Sequence, residues 1–196
     1  MIDWHLLIGI VSGILAAVSV IPYIKDILHG STRPNVVSWF LWTLLLLISI
    51  LAQMSAGASW SVIFLIGDFV GTFSIFWLCL IGYGYRQYGY LELSCLTLAI
   101  VAIISWQLTG QPILAIVLSI VADIMASVPT VVKAYLDPWS EHSSTWLIIA
   151  GSSVLAILST RVFDGVNLLF PMYIFLINLL IGSLSFVGRR IKNKPF

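Results

Sequence analysis

Seven apolar stretches run the length of this chain, at approximately 5–27, 36–54, 60–83, 91–107, 112–135, 144–160 and 168–188. A hydrocarbon core of about 30 Å takes about 20 helical residues to cross. The fourth stretch is short and follows a loop rich in Tyr and Gly. The breaks carry turn chemistry, as in His29-Gly30-Ser31-Thr32-Arg33-Pro34-Asn35 and Asp137-Pro138-Trp139-Ser140-Glu141. Charged residues make up only 9% of the chain, and mean hydropathy is +1.08. A soluble domain carries about 25% charge, so this composition cannot cover a surface in water. The expected fold class is an all-α integral membrane protein with seven transmembrane helices and the lipid bilayer as its first partner. A net charge of +1 leaves no basic field for nucleic acid.

Basic residues set the expected orientation. Lys25, Arg33, Arg86, Lys133, Arg189, Arg190, Lys192 and Lys194 fall in loops 1–2, 3–4, 5–6 and the C-terminal tail. The N-terminus and the other loops hold only Arg161. The first set is therefore expected in the cytoplasm, with the N-terminus outside, in a plasma or inner membrane. The start, Met1-Ile2-Asp3-Trp4-His5, has no Lys or Arg, which favours a retained helix over a cleaved signal. The Arg189–Lys194 run is most simply a topology anchor, with weak attraction to anionic lipid as a secondary role. Cys79 and Cys95 lie towards the cytoplasmic, reducing side, so no disulfide is expected between them. His5, His29 and His142 lack metal-ligand spacing; neither a metal nor a cofactor is expected.

An internal repeat shows in the order of events. Pro22 ends helix 1 and Pro129 ends helix 5. Each is followed, at the same interval, by a Trp that opens the next helix, Trp39 and Trp146. The stretches SVIPYIKDILHGSTRPNVVSWFLW and ASVPTVVKAYLDPWSEHSSTWLII share apolar helix, Pro, basic residue, polar loop, Ser/Thr-Trp and apolar helix. With three extra residues allowed before helix 7, Asp68 lines up with Asn178. Three helices invert orientation, and one connector restores it. The expectation is two parallel three-helix repeats, 1–83 and 112–188, joined by a connector helix with its loops at 84–111 and followed by a basic tail, 189–196. Transporters built from parallel repeats bind their solute between the halves near the midplane.

This plan resembles the PQ-loop superfamily, which includes the SWEET sugar transporters and lysosomal amino-acid exporters. The family's Pro-Gln dipeptide is here Pro22-Tyr23 and Pro129-Thr130. SWEETs carry prolines inside the second helix of each repeat; this chain has Pro34 before helix 2 and none in helix 6. Vitamin transporters of the PnuC type share the plan as well. The resemblance implies a solute-facing position in the third helix of each repeat, which maps to Asp68 and Asn178.

Acids at membrane depth are costly and usually face a cavity or a partner. By helical rise, Asp68 lies roughly 11 Å, Asn178 roughly 15 Å and Asp123 roughly 16 Å from the outer face. These three are the candidate substrate-binding layer, with a proton on a carboxylate as a candidate for coupling. The plainer reading has one carboxyl protonated and bonded to neighbouring backbone as helix glue. Asp123 aligns with Ala16 and has no mate in the repeat. Pro22 and Pro129 are candidate hinges of an inner gate, or ordinary helix ends. Trp39, Trp42 and Trp146 fit an interfacial belt or a pocket floor and gate; Tyr173 fits an outer vestibule, and Trp60, Trp77 and Trp106 the belt. Gly67, Gly71 and Ser74 put small residues on one side of helix 3 for close packing.

The chain has no Ser/His/Asp set, HExxH or P-loop, so an enzyme is not expected. The stretch from Tyr173 to Gly182 has no lysine for a retinal pigment. The leading expectation is a transporter of a small polar solute (sugar, amino acid or vitamin-like) working by alternating access between the two repeats. The alternative is a non-transporting heptahelical receptor or scaffold. One chain holds both halves, so a monomer suffices; assembly into a homo-oligomer stays open.

Overall fold

The chain's architecture is described from a computed structural model, which covers residues 3–30, 33–86 and 89–191. Among the described residues it forms seven helices and no strand. They are α1 (Trp4–Leu28), α2 (Val36–Ser55), α3 (Val62–Tyr83), α4 (Tyr90–Thr109), α5 (Pro112–Leu136), α6 (Ser143–Ser159) and α7 (Gly165–Ile191). Asp3 caps α1 by accepting from the Leu6 N–H, and Asn35 caps α2 by accepting from Val37. α1 breaks at Val20 and resumes as Ile21–Leu28 with Pro22 in its first turn, because Pro has no N–H to continue the ladder. α3 ends in a π-helical turn, Cys79–Tyr83, released by Gly82 at φ 112°, where a side chain would be strained. α5 carries through Pro129 to Leu136, and the Pro129 ring lies outside the described side chains. α7 contains Pro171.

Five of the seven, α1, α2, α3, α5 and α7, are long and apolar enough to cross a membrane. The seven full spans expected above are met in these five. α4 offers a shorter apolar piece, Leu93–Thr109, and α6 is short throughout. At 17 residues, α6 is about 25 Å long. It is also serine-rich, and Ser152, Ser153 and Ser159 are fully buried. Each donates back to its own helix, at Ile149, Ala150 and Ala156, so the hydroxyls enter an apolar interior already satisfied.

Packing follows a simple order. α3 lies between α1 and α2, and α7 lies between α5 and α6. α1 also packs along α6, and α2 along α5; α4 lies on α5 with a lesser contact to α2. The tightest approach is between α1 and α3. Gly67 sits on the Gly13 backbone, and a Cβ there would overlap the Gly13 carbonyl. A Cβ on Gly13 would lie 2.6 Å from the Ile63 carbonyl oxygen. Small residues let the backbones meet, as expected for Gly67 and Gly71. Ser74 does not share that seam: it is partly exposed, and its hydroxyl turns back to Val70 at 2.6 Å. Across the α1–α6 contact, Ser12 donates to the Ser152 carbonyl at 2.5 Å.

The two glycine environments give a direct test. Gly67→Ala must push α1 and α3 apart and is expected to cost about 1–3 kcal/mol. Gly151, with open space around its Cβ position, should tolerate Ala with no loss or a small gain. Thermal unfolding in detergent checks both; equal melting temperatures for the two variants would contradict the packing described.

Candidate functional site

The helix ends meet at two faces. At the face where α1 begins (the N-face), loops 2–3 and 6–7 are stitched together. The Ser59 N–H donates to Asn167 Oδ1 at 3.0 Å, and the Arg161 N–H donates to the Ser59 hydroxyl at 2.7 Å. Asp3 pairs with Arg161 at 2.7 Å. At the opposite face (the C-face), loops 1–2 and 3–4 join through Val36 N–H to Tyr85 C=O and Tyr85 N–H to Pro34 C=O. Lys133 pairs with Glu141 at 3.1 Å, and the Trp146 indole donates to the same carboxylate at 3.3 Å. Arg189 donates to the Pro138 and Glu141 carbonyls. His142 pairs with Asp26, tying α6 to α1.

Between these faces lies a cavity of about 460 Å³, walled mainly by α2, α3, α5, α6 and α7. This is ample for a small molecule. Its described lining starts at the C-face with Arg33, Asn35, Tyr85, Lys133, Glu141 and His142. It passes Asp68, Asp123 and Asn178, reaches Leu45, Leu46, Ile174 and Phe170, and includes no described residue of the N-face loops. These last four side chains belong, with Phe64, to the buried cluster that closes the bundle towards the N-face. The cavity is therefore one-sided.

The three predicted polar residues are brought together. Asp68 and Asp123 are each 6% exposed and Asn178 5%, and the two carboxyls are within electrostatic reach of one another. The Asn178 amide donates to the Ile174 carbonyl one turn back at 2.8 Å. A carbonyl can only accept, so this bond fixes which end of the amide is NH₂. The other end, Oδ1, is buried without a partner among the described residues, as is Asp123 Oδ1. Such orphan acceptors are uncommon in folded interiors and call for an explanation.

Trp39 and Trp146 both line the cavity, as does Trp42. All three are half-buried against its interior instead of lying in an outward belt. Trp39 packs edge-on to Trp42 with centroids 5.2 Å apart, and Tyr23 lies 5.4 Å from Trp39. Tyr173 is placed differently from the outer vestibule expected of it. It stands behind the cavity wall, its hydroxyl directed at Asp123 and Ser127 without closing a hydrogen bond to either. Pro22 is not in the described lining, but Val20 and Tyr23 beside it are, as is Thr130 beside Pro129.

Sequence reasoning did not single out Glu141, Asp26 or the His142 pairing. Glu141 is only 6% exposed although it sits in a short polar loop. The acidic and basic residues flanking loop 5–6 were the available signal. No family model matches the chain, and no curated protein or solved structure matches it. The functional reading therefore rests on geometry.

The N-face pair carries a pH signature. Desolvation pushes the Asp3 carboxyl up, but the Leu6 amide and the Arg161 and Trp60 side chains outweigh it and hold the carboxyl below its ordinary value. A depressed carboxyl contributes stability that is complete above its unfolded value and lost as pH falls through the folded one. Wild type should therefore melt above Asp3→Asn at neutral pH, with the gap closing below about pH 4. A gap independent of pH would show that the pair does not act through the carboxylate's charge.

Proposed function

We propose that this protein is a membrane transporter that moves a small polar solute by alternating access between two three-helix copies, with α4 as connector. The observation that carries this reading is the one-sided cavity. It runs from one face past a buried layer of Asp68, Asp123 and Asn178 and ends among the buried Leu45, Leu46, Phe170 and Ile174, short of the loops on the other side. That is the form of one end-state of an alternating-access cycle.

The helix contacts support the two-copy reading. Exchanging α1 with α5, α2 with α6 and α3 with α7 carries the contact pattern into itself. The α1–α3 pair becomes α5–α7, α2–α3 becomes α6–α7, and α1–α6 becomes α5–α2. The binding layer then lies on the third helices of both copies, Asp68 and Asn178, with Asp123 added by α5 alone. The same plan fits the PQ-loop resemblance. The split of basic residues favours a cytoplasmic C-face and an outside N-face, so the cavity would face inward. The break at Val20–Pro22 sits on the cavity wall, which suits a hinge at the inner gate; Pro129 is proposed for the equivalent role in α5.

Reconstitution into vesicles tests the proposal. A solute that raises the melting temperature of the purified chain should also cross the membrane through it. Asp68→Asn and Asn178→Ala should each lower that flux at least ten-fold, about 1.4 kcal/mol or more. Pro22→Ala should slow flux while leaving binding intact. Flux unchanged by the first two variants would remove the layer from the transport path.

A further inference from the structure

We infer that the solute taken by this cavity is a small organic cation: a protonated amine carried on an apolar or aromatic body. The inference rests on the transporter reading above for its pocket, but its own content is the charge of the ligand.

The deep layer presents acceptors. Asn178 lines the cavity and spends its donor on Ile174, leaving a buried Oδ1 without a partner among the described residues. Asp123 and Asp68 line the same cavity as two buried carboxyls, and Asp123 Oδ1 has no partner among the described residues. Buried carboxylates need a compensating charge and hydrogen-bond donors. At this depth the Trp42 indole and the Tyr173 hydroxyl face Asp123, but the described lining supplies no compensating charge. Among the described lining residues, the Lys and Arg side chains are Arg33 and Lys133, both at the C-face mouth. Lys133 lies about 15 Å further along α5 than Asp123 and is paired with Glu141 at 3.1 Å. A ligand ammonium group would meet the layer with charge-assisted hydrogen bonds, roughly twice as strong as neutral ones.

The path to that layer suits the same ligand. Tyr23, Trp39 and Trp42 follow one another at 5.4 and 5.2 Å between centroids. The Trp42 indole in turn lies against the Asp123 carboxyl. Aromatic faces attract cations, Trp most strongly, so the route from mouth to acids is lined with weak sites for a positive charge. The rest of the wall is aliphatic, with Ile149, Ile174 and Ile181, and fits an apolar body.

The test compares two molecules of nearly equal shape on the purified full-length chain in detergent at neutral pH. Phenethylamine is a cation there and phenethyl alcohol is neutral; phenylacetate supplies the anion. Binding is read by quenching of tryptophan fluorescence and by melting temperature. Phenethylamine should bind at least ten-fold more tightly than the alcohol, and phenylacetate should not bind. Asp123→Asn and Asp68→Asn should each weaken the amine at least ten-fold and the alcohol by much less. Trp42→Leu should weaken the amine more than Trp42→Phe does. If the acid variants fail to fold, the amine-to-alcohol ratio on the native chain decides alone. Equal or tighter binding of the alcohol overturns the inference, and so does binding of neither. The transporter reading fails separately. If glucose or the alcohol binds through Asn178 and crosses vesicles, the pocket stands and only the cation falls. If nothing binds and nothing crosses, both fall.

Discussion

A chain solvated by lipid must satisfy its polar groups from within, and that constraint shapes each element of this molecule. Backbone groups are met by helices. Interior hydroxyls are met by their own helix, as with the serines of α6. Where α1 breaks, Pro22 stands in the first turn of the following piece. At both faces, loop polar groups are tied by cross-links such as Ser59–Asn167 and Lys133–Glu141. Some buried groups, Ser49, Gln53 and Ser119 among them, keep no partner among the described residues, and Asp123, Asn178 and Thr145 are the ones that also line the cavity. At Asp123 and Asn178 the unmet demand and the space for a ligand coincide.

The same constraint governs how the bundle holds together. Lipid offers little hydrophobic drive between helices, so close packing must do the work. Gly13 and Gly67 bring α1 and α3 into backbone contact. The two proposed copies meet along α1–α6 and α2–α5. Ser12–Ser152 and the Asp26–His142 and Asp3–Arg161 pairs bridge the first of these seams along its length. In the proposed cycle, the α1–α6 seam is the more fixed of the two and the cavity side the more yielding.

Much of this was legible in the sequence for reasons that are local. Helix bounds follow from runs of apolar residues, and the structure's α2 and α5 differ from the expected stretches by a residue at one end. Asp68, Asp123 and Asn178 stood out because few polar groups lie at membrane depth. What sequence could not supply was pairing at a distance. Asp26 meets His142 from the far end of another helix, and Glu141 is buried by Lys133, Trp146 and the α7 terminus. Nothing in either neighbourhood marks such partners. Facing was equally hidden: the tryptophans at the C-face suit a lipid belt by composition, and only packing turns Trp39, Trp42 and Trp146 inward. Ser74 shares a spacing with Gly67 and Gly71 but falls off the seam, because helical spacing fixes a broad stripe and not a contact.

The central claim is that the Asp68, Asp123 and Asn178 layer is reached from the C-face and sealed from the N-face. Its most direct measurement is sided labelling in membranes of known orientation. In a background with Cys79 and Cys95 replaced by Ser, a single Ser127→Cys places a thiol in the cavity beside Asp123. A membrane-impermeant maleimide should modify it from the side bearing the basic loops and not from the other. Labelling only from the N-face, or from neither side, would contradict the account.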